Sequence, residues 1–244
     1  MADPADDVEE LAQTDHLLDR KGRVVALRAP RGRRTAMIAA VSVLALYGGL
    51  TLGAQAVSAI GVGVAKPPKT AAHTAYVGIR LDHTQLTDPV LLSQIRELGV
   101  SVVVDAQAAS HRSVELEDLA DQGVDIANGG WGKGSFLRFT RARNDVTKAG
   151  KVIAREAGTP THEFCPGRRL DAFDQYYSHR EKQKLVVANF TVRPESLPER
   201  LQAGKVYVLD GRDRDPTAME VAVSDLDAQF ESAGLRAAPL GELR

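Results

Sequence analysis

An uncharged apolar run near the N-terminus limits the fold of this chain more than any other feature. Residues 35–65 read TAMIAAVSVLALYGGLTLGAQAVSAIGVGVA and contain no acidic or basic side chain. A helix of about 20 apolar residues spans the hydrocarbon core of a bilayer, so the run predicts a single transmembrane helix at 35–65. A secretory signal peptide is the competing interpretation, but its apolar core would be only about 7–15 residues long and nearer the N-terminus.

The residues before this run predict its orientation. Residues 1–34 form a tail that is acidic at first and then basic, and the segment 20–34 contains seven cations and no acid. By the positive-inside rule, the N-terminus is cytoplasmic and the rest of the chain extracytoplasmic, which predicts a single-pass protein of the cell membrane. Gly49 and Gly53 allow a homodimer through the transmembrane helix, although this spacing alone is weak evidence. The tail itself is a further candidate for binding a cytoplasmic partner or acidic lipid headgroups.

The remaining residues predict a linker at 66–74 and one extracytoplasmic domain at 75–244. The net charge of the chain is −1, which gives no general argument for a nucleic-acid partner. Cys165 is the only cysteine, so neither an intrachain disulfide nor a multi-cysteine zinc site is possible. We expect Cys165 to be a buried small residue rather than a catalytic thiolate, because its spacing indicates no partner histidine.

Strands and helices alternate along this domain. Apolar runs predict strands at 76–81, 100–104, 124–128, 184–190 and 205–209. Helix signals predict helices from Pro89 to Gly99, over about 114–122, from a cap at Thr140 to Gly158, and from Pro216 to Gly234. Such alternation is typical of an α/β fold with a parallel sheet or barrel, whose functional residues follow the carboxyl ends of the strands.

Six segments at these strand and helix ends occur in the order and spacing of a known family. They are VGIRLDHTQ (77–85), LLSQIRELGVSVVVDA (91–106), QGVDIANGGWGKG (122–134), FCPGRR (164–169), GKVYVLDG (204–211) and FESAGLRAAPLGEL (230–243). Together they resemble the polysaccharide deacetylase (NodB-homology, carbohydrate esterase family 4) domain. The resemblance implies a distorted (β/α) barrel that removes acetyl groups from cell-wall and related sugars.

The resemblance also implies a divalent metal held by one carboxylate and two imidazoles, and these positions are changed here. His83 stands at the metal aspartate, and Gly129 and Lys133 stand at the two metal histidines. Asp82 is kept at the catalytic base, whereas Asp210 replaces the late histidine, and Cys165 replaces an arginine. We therefore expect no metal and no other cofactor, with Asp82, His83 and Asp210 as remnants of a catalytic site.

Two alternatives remain open for these remnants. His83, Asp125, His162 and Asp210 could converge into a rebuilt metal site, since histidine and carboxylate are a legitimate zinc set. The more ordinary expectation is a buried hydrogen bond between Asp82 and His83.

Four residues are candidates for ligand binding. Trp131 could stack on a sugar ring, because an indole offers a large flat apolar face, or it could simply lie on a mobile loop with Lys133. Arg168 and Arg169 could bind an acidic group of a cell-wall polymer, or could be solvated loop charges. Gly-Lys at 132–133 lacks the spacing of a phosphate-binding loop, so nucleotide binding is not expected.

The sequence thus predicts a membrane-anchored bacterial protein whose deacetylase-like domain is non-catalytic and binds a glycan or a partner protein at the cell envelope. The alternative is an active carbohydrate or peptidoglycan deacetylase, or another hydrolase, with a rearranged site.

Overall fold

The computed structural model describes residues 63–69, 72–132, 137–168, 170 and 172–244. The tail at 1–34 and nearly all of the predicted span at 35–65 lie outside these residues. Within the described part, no helix has both the length and the apolar character needed to cross a membrane.

The described domain is built on one parallel sheet of eight strands. The strands are β1 (Thr74–Leu81), β2 (Ser101–Val104), β3 (Ile126–Asn128), β4 (Glu163–Phe164), β5 (Lys184–Leu185), β6 (Phe190–Val192), β7 (Val206–Asp210) and β8 (Arg236–Ala238). Their order is β5-β4-β3-β2-β1-β7-β6, and β8 pairs with the first residues of β1. All pairings are parallel, and the sheet curls into a half-barrel, which confirms the predicted α/β class.

Helices connect most of these strands. They are α1 (Pro89–Leu98), α2 (Ala106–His111), α3 (Ser113–Asp121), α4 (Arg138–Ala142), α5 (Ala149–Glu156), α6 (Ala172–Arg180) and α7 (Pro216–Ala233), with a π-helical segment at Arg143–Lys148 between α4 and α5. The helix ends that the sequence marks most clearly are confirmed. Asp88 accepts hydrogen bonds from the N–H groups of Val90 and Leu91, and Asp215 caps α7 through Thr217. Gly99 and Gly234 end α1 and α7 with φ of 69° and 61°.

Two predictions of local structure are wrong, and two helices, α2 and α6, are missing from the predictions. Thr140 lies inside α4, which begins at Arg138, and it does not cap a helix. Helix α6 is absent from the sequence-based expectations, because its residues show no apolar stripe. The strand predicted at 184–190 is broken, since Lys184–Leu185 pair with β4 whereas Phe190–Val192 pair with β7. These two short strands are the opposite edges of the sheet, and the four residues between them bridge the edges that the curl brings close together.

Strand β1 is buried on both faces. Val77, Ile79 and Leu81 belong to the main apolar core, which includes residues of α1 and α7. Tyr76 on the other face joins a second cluster inside the half-barrel. A Cβ atom on Gly78 would lie only 2.8 Å from Leu240 Cδ1, so this interior face is closely packed. Arg80 follows on the same interior face, towards the carboxyl end of the strand.

The amino ends of the strands hold the C-terminus of the chain. The main-chain groups of Lys66 and Arg244 exchange two hydrogen bonds of 2.7 and 2.9 Å, and Val64 forms a parallel bridge with Leu185. Lys184 Nζ donates to the carbonyl oxygens of Gly241 and Leu243. The end of the predicted span and the first linker residue therefore contact the domain at this base.

Glu163 is buried at the same base, with only 1% of its surface exposed. Burial raises its pKa to about 7, with a further increase from the Asp125 carboxylate and an opposing effect of Lys184, whose Nζ lies 3.7 Å from Glu163 Oε1. An exposed glutamate has a pKa of about 4.3. Between about pH 4.5 and 7 the folded protein therefore keeps a proton that the unfolded chain releases. The free energy of unfolding is therefore expected to fall as the pH rises through this interval.

Glu163→Gln should remove this pH dependence, because the amide stays neutral. We expect the variant to be more stable than the native protein by about 1–3 kcal/mol at pH 8, with little difference at pH 4.5. Urea unfolding at the two pH values measures the effect, and Glu231→Gln on the exposed surface of α7 is the control. An equal advantage of Glu163→Gln at both pH values would contradict this explanation.

Candidate functional site

Two adjoining pockets lie where the carboxyl ends of the strands meet. We call the first the arginine pocket; it has a volume of about 270 Å³. Its walls include Arg80, Asp105, Gly129, Trp131, Arg168 and Arg212. The second, the outer pocket, measures about 570 Å³ and is lined by Asp82, His83, Asp210 and Arg193 among others. Asp105, Gly132 and Arg212 line both pockets, so the two form one continuous depression.

Asp82 accepts hydrogen bonds from the main chain of two turns that border the site. Its Oδ1 accepts hydrogen bonds from the N–H of Thr84 at 2.8 Å, the hydroxyl of Thr84 at 2.6 Å and the N–H of Gln85 at 3.3 Å. Its Oδ2 accepts from the N–H of Asp213, whose positive φ of 61° turns that group towards the carboxylate. Partial burial raises the pKa of Asp82, but these four hydrogen bonds outweigh it and lower the pKa below its usual value. The expected hydrogen bond to His83 is therefore replaced by bonds to two turns of the chain.

His83 and Asp210 also have other partners. The His83 ring is exposed and lies 5.6 Å from the ring of His111. Asp210 accepts hydrogen bonds from Arg212, at 2.9 Å from Nε and 2.7 Å from Nη2. Partial burial raises the pKa of Asp210, but this bidentate bond and the nearby Arg80 charge outweigh it and lower the pKa.

Gly129 has no space for a side chain. Its N–H donates to the carbonyl oxygen of Val104 at 2.7 Å, so the backbones of the two residues are in contact. A Cβ atom built on Gly129 would lie 2.8 Å from that same oxygen and 3.0 Å from its carbon. Because the obstacle is backbone of a central strand, it cannot turn aside as a flexible side chain could.

The described residues do not fit the divalent metal that the deacetylase resemblance implies. Both oxygens of Asp82 are occupied by N–H and O–H donors, and Gly129 offers no ligand. Two guanidinium groups, of Arg80 and Arg212, line the arginine pocket together with Gly129, and their charges would repel a cation there. No three His, Cys, Asp or Glu side chains converge on one point within the described ranges. No metal-dependent step is therefore assigned to these residues.

The alternative of a rebuilt metal site is wrong for this set of residues. His83 and Asp210 lie at the carboxyl ends of β1 and β7, whereas Asp125 and His162 precede β3 and β4. Because the strands are parallel, these two pairs lie at opposite ends of the sheet. Asp125 instead accepts hydrogen bonds from Ser101 and from the N–H of Gly241.

Arg80 is the most unusual side chain of the site. It is 4% exposed, its Nη2 donates to the carbonyl oxygen of Cys165, and its buried Nε has no hydrogen-bond partner among the described residues. Burial lowers the pKa of the guanidinium below its usual value; Arg212 lowers it further, while Cys165, Asp210 and Asp105 oppose the shift. Cys165 is 2% exposed, as predicted, and burial raises the pKa of its thiol.

A chain of ionic contacts supports Trp131. The main-chain N–H of Trp131 donates to Asp145 Oδ1 at 3.1 Å, and Asp145 Oδ2 accepts from Arg168 Nη2 at 3.0 Å. Arg168 also donates two hydrogen bonds, of 2.7 and 2.8 Å, to Asp174, which is fully buried. Arg168 thus does not act as a solvated loop charge. It connects α6 and the π-helical segment to the loop that carries Trp131, whose surface is 37% exposed.

The structure brings most of the predicted site residues into this depression. Asp82, His83 and Asp210 line the outer pocket, and Trp131 and Arg168 line the arginine pocket. Lys133 and Arg169 lie outside the described residues. Sequence reasoning missed Arg80, Arg212, Asp105 and Asp145. Arg80 could have been found, because a charge two residues before Asp82 in an apolar strand must share its face.

The comparisons with known proteins agree with this geometry. No family model matches the chain, and no curated protein matches it. Among solved structures, a CE4 family pseudoenzyme from Bacillus anthracis superposes with a TM-score of 0.60 at 11% identity, over 74% of this chain and 67% of the other. A family 4 carbohydrate esterase from Streptomyces lividans gives 0.57 at 14% identity, over 69% and 93%. Bacillus subtilis PdaA, of the same family, gives 0.57 at 12% identity, over 74% and 83%.

The domain has the polysaccharide deacetylase fold. The curled parallel half-barrel superposes on carbohydrate esterase family 4 structures with TM-scores of 0.57 to 0.60. The family's metal-binding and catalytic side chains are mostly replaced at the positions that the sequence resemblance assigns to them.

Replacing Gly129 by histidine should not restore a metal ligand. The new Cβ atom would meet the Val104 backbone, so we expect the free energy of unfolding to fall by about 1–3 kcal/mol. Gln107→His, which places an imidazole in the outer pocket at a position that already has a side chain, is the control. Thermal unfolding with and without zinc measures both effects. A Gly129→His variant that is as stable as the native protein and is further stabilised by zinc would refute the steric exclusion of a ligand at this position.

Arg168→Met should destabilise the domain and loosen Trp131. It removes the guanidinium from two carboxylates, one of them fully buried, which we expect to cost about 3 kcal/mol of unfolding free energy. Arg155→Met removes an exposed pair with Glu156 and should change the stability by less than about 1 kcal/mol. Urea unfolding gives the stabilities, and a red shift in the fluorescence of Trp131, the single tryptophan of the chain, reports the loosened loop. Equal stabilities of the two variants would rule out the bracing role of Arg168.

Proposed function

We propose that this protein is a non-catalytic, membrane-anchored member of the deacetylase-fold proteins, which binds a glycan of the bacterial cell envelope in the depression at the strand ends. The observation that carries the proposal is the pair of guanidinium groups, of Arg80 and Arg212, in the pocket lined by Gly129, where the deacetylase resemblance implies a metal-binding histidine. A cation-lined pocket cannot polarise a substrate carbonyl through a bound metal, but it still provides hydrogen-bond donors for a ligand.

The carboxylates of the site support a binding role over hydrolysis. A general base works best when its pKa is near the operating pH. Partial burial raises the pKa values of Asp82 and Asp210, but their hydrogen bonds outweigh it and lower both below the usual value, further from neutral pH, which makes these ionised groups weaker proton acceptors. This argues against the alternative of an active hydrolase that uses Asp82, His83 and Asp210.

The solved structures support the choice of ligand. One of them is a peptidoglycan N-acetylglucosamine deacetylase, with a TM-score of 0.57 at 15% identity, over 74% of this chain and 91% of the other. The Bacillus anthracis structure is described as a pseudoenzyme, and a mutant of it has restored enzymatic activity. A fold used for cell-wall sugars and an exposed indole beside the arginine pocket together favour a glycan over a partner protein.

The remaining parts of the proposal come from the sequence. The uncharged run at 35–65 and the basic segment before it support a single-pass anchor with the domain outside the cytoplasm. A homodimer through Gly49 and Gly53 and a partner for the tail at 1–34 are weaker proposals of the same origin.

Metal titration and an acetate assay test the proposal together. The full-length protein, purified in detergent, should bind neither zinc nor cobalt stoichiometrically, and should release no acetate from acetylated chitooligosaccharides or peptidoglycan. Glycan binding should quench the fluorescence of Trp131, and Trp131→Ala should weaken binding by about tenfold, as expected for loss of an aromatic contact.

Val221→Ala, on the exposed surface of α7, is the matched control for this loss of apolar area. Stoichiometric metal together with acetate release would disprove the non-catalytic role. Absence of binding to every glycan would disprove the binding role.

A further inference from the structure

Arg80 is a buried cation that forms no salt bridge with any described residue. Moving a guanidinium out of water costs several kcal/mol unless an opposite charge and hydrogen bonds compensate for it. Arg80 makes one hydrogen bond, to the Cys165 carbonyl oxygen, and its Nε has no partner. None of the salt bridges among the described residues includes Arg80.

The carboxylates around Arg80 are already paired with other groups. Asp210 accepts two hydrogen bonds from Arg212, and Asp145 accepts from Arg168 and from the N–H of Trp131. Asp105 caps α2 by accepting from the N–H of Ala108 at 2.8 Å. The described carboxylates are thus bonded to other donors and none forms a salt bridge with Arg80, although the charges of Asp210 and Asp105 favour its ionised form.

Gly167 lets the guanidinium groups of Arg80 and Arg212 approach each other. A Cβ atom on Gly167 would collide with Arg80 Nη1 and would lie 3.1 Å from Arg212 Nη2. All three residues line the arginine pocket. The Arg212 charge is already paired with Asp210. The positive charge that forms no salt bridge is therefore that of the buried Arg80, and it makes the point where the two guanidinium groups meet a site for a negative group.

We infer that the arginine pocket binds an anionic group of an acidic sugar, through the guanidinium groups of Arg80 and Arg212. This inference rests on the proposed function and specifies its ligand as an acidic rather than a neutral glycan. A guanidinium matches the two oxygens of a carboxylate or a phosphate, so both chemistries fit. At about 270 Å³ the arginine pocket suits one substituted ring beside Trp131, and the outer pocket of about 570 Å³ can take neighbouring rings.

The test compares three forms of one glycan on the full-length protein in detergent. The first is a peptidoglycan tetrasaccharide with free N-acetylmuramic acid carboxylates, the second its carboxyl-reduced form, and the third the reduced form carrying 6-phosphates. Inorganic phosphate serves as a probe without a sugar. Calorimetry gives the affinities, and the melting temperature gives the stabilisation by each probe.

The variants are Arg80→Met and the control Arg155→Met, whose native side chain is 71% exposed and lines neither pocket. Methionine fills similar space without charge, so Arg80→Met should be at least as stable as the native protein, which separates loss of binding from misfolding. We expect an acidic form to bind about tenfold more tightly than the reduced form. Arg80→Met should abolish this preference, Arg155→Met should keep it, and added salt should weaken it.

Each outcome decides the inference. Preference for the carboxylate form or for the phosphate form, lost in Arg80→Met, supports it and identifies the anionic group. Equal binding of all three forms, or a preference that survives Arg80→Met, overturns it while the glycan-binding function stands. Stabilisation by inorganic phosphate that requires Arg80, without binding of any glycan, keeps the anion site and overturns the glycan function. Absence of binding by all four probes overturns both.

Discussion

The buried positive charge of Arg80, on the central strand β1, is the constraint on which this site depends. Strand β1 pairs with β2, β7 and β8, so neither of its edges nor its faces can shift without rebuilding the sheet. A guanidinium fixed at the carboxyl end of such a strand sets the electrostatics of everything above it. The neighbouring carboxylates, of Asp210, Asp145 and Asp105, accept hydrogen bonds from other donors, and this is why we propose that the pocket binds an anion.

Local signals account for the parts of the fold that the sequence predicts well. Asp88, Gly99, Asp215 and Gly234 act through the backbone within a few residues, so their roles can be read without knowledge of distant contacts. The pairing of Lys184–Leu185 with one edge of the sheet and of Phe190–Val192 with the other depends on the curl of the whole sheet, and no short pattern predicts it. Helix α6 is similar, because it is buried through Asp174 and Tyr177 rather than through an apolar stripe.

The candidate site likewise has parts that the sequence predicts and parts that depend on contacts between distant elements. Asp82, His83 and Asp210 follow apolar strands, so their place at the strand ends was predictable, as was the loss of a ligand at Gly129. Their hydrogen-bond partners were not, because Thr84, Asp213 and Arg212 lie in turns with no periodic pattern. The bracing of Trp131 by Arg168 required knowing that the π-helical segment and α6 pack on each other. Sequence motifs thus located the site, while its chemistry depended on contacts between elements.

The contact between Lys66 and Arg244 places the point where the chain enters the domain beside the point where it finishes. Both lie at the amino ends of the strands, whereas the arginine pocket lies at the carboxyl ends. A fluorescent protein or affinity handle joined after Arg244 would therefore project from the base and leave the mouth of the half-barrel unobstructed. The same arrangement has a mechanical consequence. A force applied to the domain through the segment before Val64 would act first on the pairing of Val64 with Leu185 at the edge of the sheet, and only afterwards on the pocket.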